Sequence, residues 1–169
     1  DERHPLSLGV FGNCMGEASK AGQLRDHAAA ADLVLFVGTR TNANGTASWT
    51  LFPRDARFIH IDIDGLEVGR NYEAFRLVGD ARATLSALLE QLGPADFPDS
   101  AARRARIAGE TAQAQRHSDA ALDAIGAGVQ GGVRPEHLMR ELDAILRPQD
   151  VVCADASYST NWASSYLHA

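Results

Sequence analysis

Long apolar runs are missing from this 169-residue chain: none reaches the roughly 18–20 residues that a bilayer span requires. The opening Asp1-Glu2-Arg3-His4-Pro5 is not a signal peptide. The expectation is therefore a cytoplasmic protein with no membrane partner. Cysteine is scarce. Cys14 and Cys153 lie far apart with no Cys-x-x-Cys spacing, which argues against a disulfide framework or a structural zinc site. The 6 histidines are dispersed, and none pairs with another at a helical ligand spacing, so metal binding by this stretch alone has little support. There is no basic stripe either. The 16 Lys and Arg residues are scattered and the formal net charge is −6, whereas a nucleic-acid partner calls for clustered positive charge to displace counterions. No Gly-x-Gly-x-x-Gly follows a strand, which disfavours a nicotinamide dehydrogenase. Neither Ser157 nor Ser159 sits in a Gly-x-Ser-x-Gly elbow, so a hydrolase triad is equally disfavoured.

What is present is strand–helix alternation. Leu33–Val37 is an unbroken apolar run ending at Gly38, the pattern of a strand buried on both faces in a parallel sheet. The alanine-rich stretch 17–31 ahead of it predicts a helix, with Ala18, Ala21, Leu24 and Ala28 on one face. Phe58–Ile63 alternates as a second strand, Arg76–Val78 is a third, and Ala81–Leu92 is a helix with Leu85, Leu88, Leu89 and Leu92 on one stripe. The fold class expected is α/β, a Rossmann-like parallel sheet flanked by helices, over residues 1–92. Residues 93–132 predict a linker whose helix, 101–125, packs over a surface and contributes no core, with Gly126, Gly128, Gly131 and Gly132 breaking the chain after it. From 133 a second α/β unit opens. A helix starts at Pro135 and stops at Pro148, a buried strand spans 150–155, and a polar loop runs from Ser157 to Asn161, where the chain stops inside a β-α unit.

In open parallel sheets, ligands bind beyond the carboxyl ends of the strands. Four loops hold that position: Gly38-Thr39-Arg40 with the polar run after it, Asp62 to Gly65, Gly79-Asp80, and Asp155 to Asn161. An arginine past a strand end can fork onto a phosphate, and a carboxylate at the next strand end can accept from ribose hydroxyls, which suits a nucleotide. The plainer alternative is a structural bridge from Arg40 to Asp62 or Asp64, with Gly38 serving only a tight turn. Trp49 and Trp162 read as packing anchors, and Cys14 as a small packed residue.

Several phrases, in order, resemble the thiamine-diphosphate enzymes related to acetolactate synthase and benzoylformate decarboxylase. They are His4 to Gly9, Ala31 to Arg40, His60-Ile61-Asp62-Ile63-Asp64, Glu67 to Asn71 and Gly79-Asp80-Ala81, similar to the second half of that family's central domain. Further on, Arg134-Pro135-Glu136 and Val151 to Trp162 resemble the opening of its diphosphate-binding domain, placing the start of that domain at 133–169.

The resemblance implies a longer parent enzyme that uses thiamine diphosphate and magnesium on a small-molecule 2-oxo acid, as a decarboxylase or carboligase, and works as a homo-oligomer. The family's activating glutamate and its Gly-Asp-Gly…Asn motif are not in this sequence, and the first strand and helix of the central domain are expected to be missing before His4. The 169 residues are thus expected to be inactive alone, with no catalytic residue and no metal ligand among them. Ser157, Tyr158, Ser159 and Thr160 match the loop that approaches the diphosphate, although family members often carry Gln-His where Tyr158-Ser159 stand. In the central domain, Arg40 matches the arginine of FAD-binding members, and Gly12, Asp62 and Asp80 fall at nucleotide contacts. The Thr41-Asn42-Ala43-Asn44-Gly45 that follows departs from the acidic, arginine-containing stretch of those members and points to a non-flavin relative, one that binds ADP or no nucleotide. The rival reading is a stand-alone nucleotide-binding or scaffolding module without catalysis.

Overall fold

The computed structural model describes residues 4–12, 14–16, 18–93, 97–126, 132–147 and 149–168. Its elements run α1 (Lys20–Gln23), α2 (Arg25–Ala29), β1 (Leu33–Val37), β2 (Arg57–Asp62), β3 (Phe75–Val78), α3 (Ala81–Leu92), α4 (Ser100–Gly126), α5 (Pro135–Ile145) and α6 (Tyr158–Tyr166). They form two compact units, Asp26–Ser100 and the pair of segments Asp1–Arg25 with Ala101–Ala169.

The first unit is the α/β part. Its three strands form a parallel sheet in the order β1-β2-β3. The register aligns Phe36 with His60 and Arg76, and Leu35 with Ile59 and Phe75. Because side chains alternate along a strand, Phe36, Phe58 and His60 share one face. There, with Phe52 and Tyr72, they form a ring cluster in which Phe36 stacks on Phe58 at 5.6 Å and Phe58 meets Tyr72 at 4.7 Å. Such pairs contribute ~0.5–1.5 kcal/mol each beyond their burial. Burial also pushes the Tyr72 phenol above its usual pKa. Ile61, on the opposite face, is fully buried.

The expectation that β1 is covered on both sides is not met. Phe36 is buried, but Leu33 is 48% and Leu35 42% exposed, and their neighbour across the sheet, Phe75, is 69% exposed. The sequence pattern describes a strand with apolar residues on both faces; here β1 is exposed at Leu33 and Leu35, while the central strand β2 is covered on the same side at Ile61. α3 matches its expected span and is capped by Asp80, whose Oδ1 accepts from the Ala83 amide at 2.8 Å. Two residues of its apolar stripe, Leu89 and Leu92, are exposed.

The second unit is helical. Leu122 of α4, Met139 of α5 and Tyr166 of α6 form its buried cluster, with Leu142, Trp162, Ala163 and Leu167 packed around them. The expectation for α4 is thus corrected: it supplies a core residue and does not merely lie over a surface. Tyr166 lies in the cluster with its hydroxyl buried and unpartnered. Desolvation, then the negative charge of Glu136 and of Cys14 as a thiolate, pushes its pKa up to about 12.

Three further expectations are corrected. The helix foreseen over 17–31 is broken in two at Leu24, a turn residue with φ −97° and ψ 4°. No strand forms at 150–155; those residues are irregular and Val151 is 87% exposed, since an extended segment without a neighbouring strand has nowhere to place its backbone hydrogen bonds. The polar loop 157–161 is instead the start of α6, with the Ser157 hydroxyl accepting from the Ser159 amide as N-cap. The breaks expected at Gly128 and Gly131 and the stop at Pro148 fall outside the described residues. No helix among the described residues is long and apolar enough to cross a membrane.

Candidate functional site at the strand ends

The parallel ladder brings three of the expected residues to one end of the sheet. Arg40, Asp62 and Asp80 follow or close β1, β2 and β3 in turn. The ladder runs one step past β1 and β3: the Gly38 amide donates to the Ile61 carbonyl and the Gly79 amide to the Asp62 carbonyl, both at 2.9 Å. With strands ~4.8 Å apart, the three loops start within about 10 Å across the sheet.

Each carboxylate already has a backbone task. Asp62 accepts from the Asp64 amide and Asp64 from the Leu66 amide, both at 2.9 Å, which folds the turn after β2. Asp80 caps α3. Among the described residues Arg40 makes no ion pair, so the plainer alternative of a bridge to Asp62 or Asp64 is not what this structure contains. Its side chain is exposed, and Gly38 at the base of the loop has φ +60° with open space where a Cβ would stand. An exposed guanidinium without an ion-pair partner has the chemistry to fork onto a phosphate.

The loop carrying Arg40 is held from below by residues not foreseen as site residues. His60, 1% exposed, reaches the Thr39 carbonyl through Nε2 at 3.0 Å and receives the Gly69 amide at Nδ1 at 3.1 Å. A carbonyl can only accept and an amide N–H can only donate, so the ring is the neutral tautomer with its proton on Nε2. Asn71 Nδ2 donates to the carbonyls of Arg40 and Thr41, each at 3.1 Å. Trp49 Nε1 donates to the same Thr41 carbonyl at 3.0 Å. Thr41 itself is buried with φ 47°, an unfavourable backbone for a β-branched residue that persists only where surroundings impose it. The one sequence signal for this frame was polar residues, His60 and Asn71, within otherwise apolar or turn segments.

Gly12, the fourth expected nucleotide residue, lies in a turn of the other unit. So do Ser157, Tyr158, Ser159 and Thr160, at the first turn of α6. The Ser159 hydroxyl donates to the Asp155 carbonyl at 3.1 Å and the Thr160 hydroxyl donates to the same oxygen, while Tyr158 is exposed. Hydroxyls at a helix N-terminus fit the chemistry of a diphosphate, but two of them must rotate away from Asp155 to serve one. Among the described residues, no group of three or more His, Cys, Asp or Glu side chains could hold a metal ion. This unit also contains a cavity of about 480 Å³ lined by Lys20, Thr111, Gln115, Asp143 and His168, in which the Asp143 carboxylate accepts from the His168 ring at 2.9 Å and its backbone amide at 2.7 Å. Nothing in the sequence pattern links residues so widely spaced.

Comparison with known proteins then supplies what geometry alone does not. The family described as "Thiamine pyrophosphate enzyme, central domain" matches residues 1–88. An acetolactate synthase of Mycobacterium avium is 28% identical over 137 residues, covering 80% of this chain and 21% of that protein. The acetolactate synthase large subunit of Corynebacterium glutamicum is 28% identical over 169 residues, 98% of this chain and 25% of its own length. An acetolactate synthase of Arthrospira platensis is 36% identical over 94 residues, 54% of this chain and 16% of that protein. The chain thus spans about a quarter or less of the length of these relatives.

Proposed function

Because this chain belongs to the thiamine pyrophosphate enzyme family through its central domain, we propose that it is part of a longer enzyme that uses thiamine diphosphate to decarboxylate a 2-oxo acid or to join the product to a second carbonyl compound. The observation that carries this is the family match over residues 1–88, which coincides with a parallel sheet whose loops gather at the carboxyl ends of its strands. The acetolactate synthases among its relatives support the carboligase side of the reading.

Thiamine diphosphate, when bound, supplies the electron sink for the pair left behind as carbon dioxide departs. This chain's own part is placement. The hydroxyls of Ser157, Ser159 and Thr160 with the amides of the first turn of α6 would bind diphosphate oxygens, and the Arg40, Asp62 and Asp80 loops would hold the ADP portion of a nucleotide, either ADP or FAD. Magnesium, a cytoplasmic homo-oligomer and inactivity of the 169 residues alone complete the proposal. Proton abstraction and metal coordination belong to parts of the longer protein.

The test is turnover by the full-length protein. Carbon dioxide release from pyruvate and other 2-oxo acids is measured with thiamine diphosphate and magnesium present or withheld. Turnover that disappears without the cofactor supports the reading. A folded full-length protein that turns over none of them leaves the nucleotide-binding or scaffolding module in its place.

A further inference from the structure

We propose that His60 and Asn71 are positioning residues for Arg40: together they clamp the backbone on both sides of it and so fix the direction in which its guanidinium meets the diphosphate of an ADP moiety. The proposal rests on the reading of the strand-end loops as a nucleotide site.

The clamp is continuous along three residues. His60 holds the Thr39 carbonyl, and Asn71 holds the carbonyls of Arg40 and Thr41 and the Thr41 hydroxyl, at 3.0 to 3.2 Å. Both clamping side chains are tied to the turn after β2. Asn71 ends it, and His60 takes the Gly69 amide within it at 3.1 Å, so two strand-end loops are fastened to one another. Gly69 has φ +72°, and the Arg76 guanidinium lies where a Cβ would stand, at 2.7 Å, so glycine is the residue that fits this turn. Arg40, by contrast, has its carbonyl engaged and its side chain uncommitted. A residue with a held main chain is partly pre-organised: the cost of ordering its backbone is met in folding, and binding has only the side chain left to order.

The proposal predicts energetic coupling, which a merely structural role would not give. Affinities of the full-length protein for ADP and, separately, FAD are measured by calorimetry for the wild type, Arg40→Ala, Asn71→Ala and the double variant. Asn71→Ala should weaken binding about tenfold when Arg40 is present and change it little when Arg40 is already alanine. Hydrogen exchange at the Thr41 amide should quicken in Asn71→Ala while the strand amides of β2 keep their protection. His60→Gln, which retains a donor for the Thr39 carbonyl, should keep more affinity than His60→Ala. In the wild type, ring nitrogen shifts should show His60 protonated at Nε2 and bare at Nδ1.

If Arg40→Ala weakens binding but Asn71→Ala does not, the clamp is refuted and the nucleotide site stands. An equal loss from Asn71→Ala in both backgrounds also refutes it, by assigning Asn71 a purely structural role. If neither ADP nor FAD binds the wild type, or if Arg40→Ala has no effect, the nucleotide reading fails and takes the clamp with it. Tightening by ADP alone, or by FAD alone, decides which source of the ADP moiety the site accepts.

Discussion

Asn71 grips Thr41 twice, donating from one amide nitrogen to its carbonyl at 3.1 Å and to its hydroxyl at 3.2 Å. This is the contact that keeps a β-branched residue at φ 47°. A second donor, Trp49 Nε1, shares the carbonyl. Trp49 itself closes a run of three non-glycine residues in left-handed backbone, Ala47, Ser48 and Trp49. The loop after Arg40 is therefore built from conformations that cost about 1–2 kcal/mol per residue, and side-chain donors offset that cost.

Trp49→Phe tests the smaller share of that offset. It removes the indole donor while Asn71 still serves the Thr41 carbonyl, so the expected loss is about 0.5–1.5 kcal/mol, read as a lower urea midpoint at unchanged slope.

His60→Phe tests the larger share. The substitution keeps an aromatic ring beside Phe36 but leaves the Thr39 carbonyl and the Gly69 amide without a partner. Each buried polar group orphaned in this way costs ~1–3 kcal/mol. Urea unfolding should show a loss of about 2–4 kcal/mol, and a loss below about 0.5 kcal/mol would mean that water replaces the ring nitrogens at no cost.

Much of this was legible in the sequence, and the boundary falls at burial and pairing. Leu33–Val37 and Ala81–Leu92 have the bounds that their apolar patterns gave, because period and capping are local properties. The strand expected at 150–155 has the same apolar character as β1, yet is irregular, because a strand depends on a neighbour that no local pattern encodes. Among the candidate residues, that Arg40, Asp62 and Asp80 share one end of the sheet was legible because loops after parallel strands converge. His60 was read only as the polar member of an alternating strand, since its partners Thr39 and Gly69 are brought to it by the fold.

Tyr166 carries a pH prediction. Its phenol titrates near 12 in the folded chain, against an unperturbed 10.0, because burial disfavours the phenolate. The raised value means that its contribution is intact below pH 10 and is lost as pH rises from 10 toward 12. Absorbance titration at 295 nm should show a late component that Tyr166→Phe removes, beside the raised phenol of Tyr72, and urea midpoints should fall over that interval. Tyr166→Phe should remove this part of the fall and, since the hydroxyl has no partner, leave stability at neutral pH unchanged or slightly higher.

Asp80 separates structure from ligand binding. As N-cap of α3 it accounts for ~0.5–2 kcal/mol, so Asp80→Ala should lower the thermal midpoint whereas Asp80→Ser, another good cap, should restore it. ADP affinity measured on the Ser variant then reports whether the carboxylate also contacts ribose.

The apolar residues of the outer strands that face water, Leu33, Leu35 and Phe75, govern the handling of the 169 residues as an isolated polypeptide. Parallel pairing forms slowly because its contacts are distant along the chain, and among the described residues the outer edges of β1 and β3 pair with no further strand. Refolding yield should consequently fall as protein concentration rises, while the dilute chain recovers, and Leu35→Lys should widen the concentration range over which recovery is complete.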